Sequence, residues 1–312
     1  MDREQETTKE PVSTKELYNV GITLGDLNGI GPEVTLKALK DNRILGDFTP
    51  VIYGSTKIVS YYKKLLDLQD FQYISCKDAS EIQAKKINVI NIWNEDVELQ
   101  VGESTATGGS YAFKSLEAAT QDLSEGKIDV LVTSPFSKDA IQKAGFQFPG
   151  HTEYLADMSG VPEALMILVS ERLKVALVTT HIPIKDVSSA LNKEGILSKI
   201  EKFEQSLKKD FGIVKPRIAV FGLNPHAGEN GKLGAEEQEI ISPAIQQAKN
   251  KGVLAFGPFP ADGFVGTELK NQFDGILAMY HDQGLTAFKA LAFDDGVNFT
   301  ADLPIVRTSP DL

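Results

Sequence analysis

The sequence predicts an α/β protein built on a largely parallel β-sheet. From residue 18 onward, short runs rich in valine and isoleucine alternate with longer segments of helical period, a pattern typical of strand–helix–strand crossover units. Most of the short runs are apolar at successive positions, which indicates strands that helices cover on both faces. One connection is too short for a crossover, so the sheet is expected to be mixed.

The predicted strands are eight short apolar runs, at residues 20–24, 50–53, 87–92, 128–133, 164–169, 174–179, 217–221 and 275–279. The fifth and sixth are joined only by residues 170–173, which favours an antiparallel hairpin. Two core helices are indicated by apolar stripes at helical spacing, Ala112, Leu116, Ala119 and Leu123 in one and Ile196, Ile200, Phe203 and Leu207 in the other.

Charge and cysteine content exclude several classes of function. The chain of 312 residues has 32 basic and 43 acidic side chains, a net charge of -11, so nucleic acid and anionic membranes are not expected partners. The single cysteine, Cys76, excludes an intrachain disulfide and a cysteine zinc site, and it favours a reducing compartment. The polar N-terminus lacks the apolar core of a signal peptide, and no later apolar run could span a bilayer. We therefore expect a cytoplasmic protein with a disordered leader at residues 1–17.

The histidines are the first candidates for chemistry. His181, His226 and His281 each directly follow a predicted strand, and open α/β sheets bind ligands at the carboxyl ends of their strands. Three imidazoles with an open coordination position are typical of a catalytic divalent metal. The alternative is that each histidine is an ordinary surface or hydrogen-bonded residue, because their wide spacing forms no local metal motif.

Candidate anion-binding residues lie near both ends of the chain. The string GDLNGIGPE at residues 25–33 follows a strand and opens a helix, so its amides could bind phosphate or carboxylate; a tight, well-capped turn is the alternative. Neither a Rossmann fingerprint nor a P-loop occurs. Lys289, Asn298 and Arg307 fall in glycine- and aspartate-rich sequence, predicted as loops, where they could bind a phosphorylated substrate or simply face solvent.

Nine strings in the same order carry a family resemblance: GDLNGIGPE, TSPFSKDAI, GHTEYLA, TTHIP, GLNPHAGE, GPFPAD, AMYHDQG, GVN and LPIVRTSPD. Over nearly the whole chain they resemble the 4-hydroxythreonine-4-phosphate dehydrogenase family of vitamin B6 biosynthesis. The resemblance implies a two-lobed α/β/α fold similar to the isocitrate and isopropylmalate dehydrogenases, with a cleft between the lobes. Loop positions predict one lobe at residues 18–135 and 286–312 and a second, with the metal ligands, at residues 136–285.

The resemblance also implies a role for each candidate residue. A divalent metal (zinc, magnesium or cobalt) would be bound by His181, His226 and His281, contributed by both subunits of a homodimer. The substrate would contact His151, Thr152, Lys289, Asn298 and Arg307. Asp262 would lie near the metal, and either Lys289 or Asp262 would be the general base.

The reaction implied by the resemblance uses NAD or NADP. It oxidises 4-phosphooxy-L-threonine to 2-amino-3-oxo-4-phosphooxybutanoate, which loses carbon dioxide to give 3-amino-2-oxopropyl phosphate. Three alternatives stay open. The substrate could be 4-phospho-D-threonate or 4-phospho-D-erythronate, the histidine site could hydrolyse phosphate esters, or the protein could be a family member that no longer binds the cofactor. The last alternative arises because the family continues with His-Gly-Thr-Ala where this sequence stops at Leu312, and a smaller departure is Leu27-Asn28 in place of the usual Pro-Ala.

Overall fold

The structure, a computed structural model, describes residues 17–310, so the expected leader lies outside the described residues except for Leu17. Its β-strands form one twelve-stranded mixed sheet in the order β3-β4-β2-β1-β5-β12-β11-β6-β7-β10-β8-β9. The strands are β1 Asn19–Thr23, β2 Thr49–Gly54, β3 Ile74–Cys76, β4 Asn88–Asn91, β5 Val130–Thr133, β6 Leu165–Val169, β7 Lys174–Leu177, β8 Arg217–Phe221, β9 Leu254–Phe259, β10 Gly275–Ala278, β11 Val297–Ala301 and β12 Val306–Pro310.

Helices connect most of the strands. They are α1 Gly31–Leu39, α2 Thr56–Leu65, α3 Ala106–Ser124, α4 Lys138–Lys143, α5 His151–Met158, α6 Ile184–Ala190, α7 Lys193–Lys209, α8 Ser242–Asn250, α9 Ala261–Val265 and α10 His281–Ala292. None of the helices among residues 17–310 combines the length and the apolar character that a membrane span requires.

The predicted α/β class with a mixed sheet is confirmed. All eight predicted strands are present with ends within two residues of those expected, and β6 and β7 pair antiparallel as the short connection indicated. The two apolar stripes lie on α3 and α7, and all eight of their side chains are buried.

The strands carry apolar side chains on both faces because helices cover both. Along β2, Val51 and Tyr53 join the core beneath α3, while Ile52 joins the core beneath α1 and α2. Along β8, Ile218 faces α7 and α8, whereas its neighbour Ala219 packs on the opposite side with residues of α10. The chain passes from one hydrophobic core cluster to another near residue 165 and returns to the first near residue 302. The lobe boundaries at residues 135 and 285 stay a prediction.

Strand direction changes in the middle of the sheet. β12 is parallel to β5 but antiparallel to β11, and β11 and β7 are both antiparallel to β6. Beyond that point β7, β10 and β8 run parallel to one another, so their carboxyl ends share one edge. The loops that follow these three strands carry His181, His281 and His226.

The expectation that Lys289, Asn298 and Arg307 lie in loops is wrong. Lys289 is on α10, Asn298 on β11 and Arg307 on β12. The two strands escaped prediction because polar side chains interrupt the apolar pattern on the face that borders the cleft described next.

Candidate active site

A cleft of about 330 Å³ opens where β5, β6, β11 and β12 meet in the sheet. Side chains from these strands form its floor, and the first turn of α5 and the loops before α6 and α10 form its walls. Its polar lining consists of Thr133, Lys138, His151, Thr152, Glu153, His181, His281, Asn298, Arg307 and Ser309. The sequence-predicted residues His151, Thr152, His181, His281, Asn298 and Arg307 are therefore brought together in one chain.

Arg307 supplies a buried positive charge to this cleft. Its side chain on β12 is 3% exposed and donates mainly to threonine hydroxyls. Nε and Nη2 donate to Thr133 Oγ1 at 3.1 and 2.6 Å, and Nη1 donates to Thr300 Oγ1 at 2.9 Å. A longer contact of 3.5 Å joins Nη1 to Thr152 Oγ1. Three different segments thus fix the guanidinium plane.

No carboxylate among residues 17–310 forms an ion pair with Arg307. Burial lowers the pKa of its guanidinium to about 10, an effect that the more distant negative charge of Glu153 partly opposes. A buried cation held only by neutral hydroxyls is costly, and an anionic ligand would offset that cost. The arrangement favours a phosphate or carboxylate in the cleft.

Asn298 offers a complementary feature on the neighbouring strand. Its Oδ1 atom is buried and has no hydrogen-bond partner among the described residues. Buried acceptors are usually satisfied, and an unsatisfied one beside a cleft fits a ligand that donates a hydroxyl or ammonium proton. Arg307 and Asn298 together suit a ligand with an anionic end and a donor group.

His151 and Thr152 begin α5 at the wall of the cleft. The His151 ring stacks on Phe136 with centroids 3.8 Å apart and planes inclined by 34°. Burial, with a smaller contribution from the positive charge of Arg307, holds the pKa of His151 well below 6.5. In the absence of an anion this imidazole is neutral at pH 7, so it can donate one hydrogen bond and accept another.

His181 and His281 approach each other at the opposite end of the cleft, with ring centroids 5.6 Å apart. Asp282 Oδ1 lies 2.7 Å from His281 Nδ1, which leaves Nε2 of that ring available to a ligand. Partial burial lowers the pKa of His181, and the neighbouring Lys138 and His281 lower it further. Two imidazoles at this spacing fit part of a divalent metal site.

His226 lies at the same edge of the sheet but does not line the cleft of its own chain. It is exposed and begins a left-handed turn within Pro225–Gly231, with φ values of 54° at His226, 50° at Ala227, 41° at Glu229 and 56° at Asn230. The left-handed conformation costs roughly 1–2 kcal/mol for each non-glycine residue. Within residues 17–310, no set of three histidine, cysteine or acidic side chains is already clustered as a metal site.

Asp262 and Lys289 are also outside the cleft lining of a single chain. Asp262 is exposed in the first turn of α9, and Lys289 is half-buried on α10, two turns after His281. Their predicted roles, like that of His226, stay predictions.

The string at residues 25–33 forms a buried turn beside the cleft. Gly25 has φ +66°, and a Cβ atom there would lie 2.1 Å from the carbonyl oxygen of Pro135, so only glycine fits. Asp26 accepts a hydrogen bond from the amide of Asn28, and the side chain of Asn28 accepts one from the amide of Gln100. These contacts favour the tight-turn interpretation of this string.

The sequence did not single out Thr133 and Lys138, which line the cleft, or Thr300, which accepts a hydrogen bond from Arg307. Thr133 and Thr300 end or interrupt apolar strands, where a hydroxyl looks like an ordinary β-branched strand residue. A buried arginine is the signal that could have revealed the two threonines, because it needs acceptors from neighbouring strands.

Comparison with known proteins agrees with this geometry. The family model described as pyridoxal phosphate biosynthetic protein PdxA matches residues 47–312. A protein from Bacteroides thetaiotaomicron named 4-hydroxythreonine-4-phosphate dehydrogenase is 49% identical over 293 residues, 93% of this chain and 80% of that protein. A protein from Oceanobacillus iheyensis with the provisional name D-threonate 4-phosphate dehydrogenase is 39% identical over 94% of this chain and 89% of its own length.

Among solved structures, the 4-hydroxythreonine-4-phosphate dehydrogenase from Klebsiella pneumoniae superimposes with a TM-score of 0.83 and 36% identity, covering 96% of this chain and 91% of that one. The resemblance predicted from the nine strings is thereby confirmed. This chain belongs to the PdxA family of pyridoxal phosphate biosynthetic proteins.

Proposed function

We propose that this protein is a 4-hydroxythreonine-4-phosphate dehydrogenase. It oxidises the secondary hydroxyl of 4-phosphooxy-L-threonine with NAD or NADP, and the 3-oxo acid that forms loses carbon dioxide to give 3-amino-2-oxopropyl phosphate. The observation that carries this proposal is the buried guanidinium of Arg307, which lines the cleft and forms an ion pair with no carboxylate of residues 17–310. A cytoplasmic location is part of the same proposal.

The phosphate end of the substrate would bind at Arg307. A bidentate contact with the guanidinium would add a charge-assisted pair of hydrogen bonds, and His151 and Thr152 lie close enough to line the same subsite. Asn298 Oδ1 would accept a proton from the substrate amine or hydroxyl. Lys138 at the rim of the cleft adds a second positive charge to a protein that is otherwise acidic.

The donor set also fits a divalent metal, with His181 and His281 as two ligands and His226 as the third. Imidazole nitrogens favour zinc or cobalt over magnesium, and Asp282 would hold His281 in the tautomer that exposes Nε2. When bound, such an ion acts as a Lewis acid on the substrate oxygen during both oxidation and decarboxylation. A bound nicotinamide would supply the hydride acceptor, and Lys289 or Asp262 would take the hydroxyl proton.

A homodimer would complete the site. His226, Asp262 and Lys289 do not line the cleft of their own chain, so a second copy is the natural source of these groups. Ile184 is 76% exposed beside His181, and Ile182 is 39% exposed, which gives this rim the apolar surface that a protein interface needs.

A second candidate substrate is 4-phospho-D-threonate, because the relative from Oceanobacillus iheyensis carries that activity in its provisional name. The two substrates differ in having an amine or a hydroxyl next to the reacting carbon. Asn298 can accept a hydrogen bond from either group, so the cleft residues described above do not choose between them.

NADH formation tests the proposal. Purified protein with added zinc or cobalt should reduce NAD or NADP with 4-phosphooxy-L-threonine more efficiently, by kcat/KM, than with 4-phospho-D-threonate. The reverse preference would assign the second activity. Release of inorganic phosphate from either compound without cofactor reduction would instead indicate a phosphatase and would overturn the proposal.

A further inference from the structure

Hydrogen bonds from the side chains of Gln283 and Thr179 connect the loops that carry the three histidines. Gln283 lies two residues after His281. Its Oε1 accepts from the backbone N–H of Met279 at 2.7 Å, and its Nε2 donates to the carbonyl oxygen of Gly222 at 2.7 Å. Met279 follows β10, and Gly222 follows β8 on the way to His226, so one side chain joins two histidine loops.

Gln283 acts where the backbone pairing of the two strands has ended. The β10–β8 ladder runs from Gly275 and Ile218 only as far as Leu277 and Val220. On the other side of β10, Thr179 continues the contact with β7, because its N–H and its hydroxyl both donate to the carbonyl oxygen of Met279, at 3.2 and 2.8 Å. All three loops are thereby tied together just before their histidines.

Glu237 holds the loop that carries His226. This carboxylate is 3% exposed, and its Oε1 accepts from the backbone N–H groups of Leu223 and Asn224, both at 2.7 Å. Its Oε2 accepts from Asn224 Nδ2 at 3.0 Å. The same oxygen fills the inside of the left-handed turn, since a Cβ atom on Gly228 would lie 2.5 Å from it.

We propose that Gln283 and Glu237 are positioning residues that fix where the His226 loop projects from its own chain, and thereby how His226 reaches the His181–His281 pair of the partner subunit. The inference rests on the proposed function, in which these histidines bind one metal. Neither side chain lines the cleft, so neither contacts the substrate within a chain. A left-handed turn that starts at a metal ligand needs an anchor, because its conformation is not the one that the backbone prefers on its own. Glu237 provides the anchor, and Gln283 connects it to the His281 loop.

Cobalt binding to the metal-free protein tests this inference without relying on turnover. Gln283→Met keeps the length of the side chain and removes both hydrogen bonds. We expect it to weaken Co²⁺ binding by about tenfold to a hundredfold, as the loss of groups that orient metal ligands does, and to change the visible spectrum of the bound cobalt. The metal-free variant should stay folded, with a melting temperature lowered only to the extent that the loss of two hydrogen bonds requires. The matched control is Gln246→Met on α8, which should bind cobalt as the parent does, because the exposed Gln246 amide donates to Asn250 far from the histidine loops.

Glu237→Gln is the second variant, and it keeps an oxygen for the two backbone N–H groups while placing an NH₂ group against Asn224 Nδ2. It should also weaken Co²⁺ binding, by less than Gln283→Met, whereas Glu239→Gln on the same turn should not. Parent-like cobalt affinity and spectrum in both Gln283→Met and Glu237→Gln would overturn the inference. A fall in melting temperature without a change in the cobalt spectrum would overturn it as well, because the residues would then be structural only.

His226→Ala and His281→Ala distinguish a failure of the proposed metal site from a failure of the positioning roles. If either variant binds cobalt like the parent, the proposed metal site is wrong, and the positioning roles fall with it. If both lose cobalt while the Gln283 and Glu237 variants do not, the metal site stands and only the positioning roles are wrong.

Discussion

Arg307 on β12 and Thr133 on β5 are joined across two parallel strands by two hydrogen bonds to the same hydroxyl oxygen, at 3.1 and 2.6 Å. The guanidinium is thereby fixed before any ligand arrives, and among the described residues it forms no ion pair, only a more distant interaction with the negative charge of Glu153. An anion entering the cleft meets a guanidinium whose plane is already fixed, which lowers the entropic cost of binding, and it would replace the long contact to Thr152.

Replacing Arg307 by lysine should raise KM for the phosphorylated substrate about thirtyfold. The estimate follows from a loss of about 2 kcal/mol when a bidentate, partly desolvated contact becomes a single ammonium contact. KM for NAD should change much less. Steady-state kinetics with each ligand varied in turn would measure both constants.

The matched control is Arg43→Lys, because Arg43 is an exposed arginine that pairs with Asp41 on the surface. It should leave both constants unchanged. An equal rise of both constants in Arg307→Lys would point to general disruption around β12 and against a specific phosphate contact.

Thr133→Val should destabilise the protein by about 1–3 kcal/mol, because it leaves two donors of a buried guanidinium without their acceptor. Urea unfolding of the metal-free protein would measure the change. Thr133→Ser keeps the hydroxyl and should recover most of the lost stability. Parent-like stability of Thr133→Val would contradict the prediction, because valine keeps the shape of threonine and lacks only the acceptor.

The fold was largely readable from the sequence, and the strands that were missed have a common cause. β3 has only three residues, and β9 contains a glycine and a proline within its run. β11 and β12 carry Asn298 and Arg307, whose polar side chains break the apolar pattern because they face the cleft. At these two positions the site requires a polar side chain where a strand typically has an apolar one, and tertiary packing keeps the segment in the strand conformation.

The site was predicted in its main residues but not in its supporting contacts. His151, Thr152, Asn298 and Arg307 were identified through the family resemblance, and they share one cleft. Glu237 and Gln283 could not be found in the same way, because their importance depends on which backbone groups lie beside them. The left-handed turn at His226 could not be predicted from the sequence either, because no residue in it other than the glycines at 228 and 231 requires a positive φ.

Stability should fall as the pH is lowered below about 6.5, partly because of His151. The folded-state pKa of His151 lies well below its unfolded value of 6.5, so the unfolded chain binds the extra proton first. Stability attributable to this group is therefore complete above that pH and decreases below it, by up to about 1.4 kcal/mol per pH unit. Urea unfolding at a series of pH values would give the slope.

His151→Gln should flatten this pH dependence, since glutamine does not titrate. His181, whose pKa is also lowered, keeps part of the slope in that variant. Parallel curves for the parent and His151→Gln would show that His151 is solvated in the folded protein and would contradict the burial described here. Added phosphate offers an independent check, because an anion beside Arg307 should favour protonated His151 and reduce the slope in the parent.

The proximity of His181 and His281 within one chain leads to a prediction for mixed dimers. Their rings are 5.6 Å apart in the same cleft, whereas His226 lies outside it, so a partner chain is the proposed source of the third imidazole. A chain with His226→Ala and a chain with His281→Ala should each be inactive as homodimers, because every site then lacks one imidazole. In a hybrid, the first chain supplies intact His181 and His281, the second supplies His226, and one complete site forms. Mixing the two inactive proteins should therefore restore part of the activity after subunit exchange.

The pair His181→Ala with His281→Ala is the matched control and should restore none, because each cleft of that hybrid still lacks one of its own two histidines. Recovery in the control pair, with none in the test pair, would mean that His181 and His281 serve different sites and that the two chains share their ligands in another way.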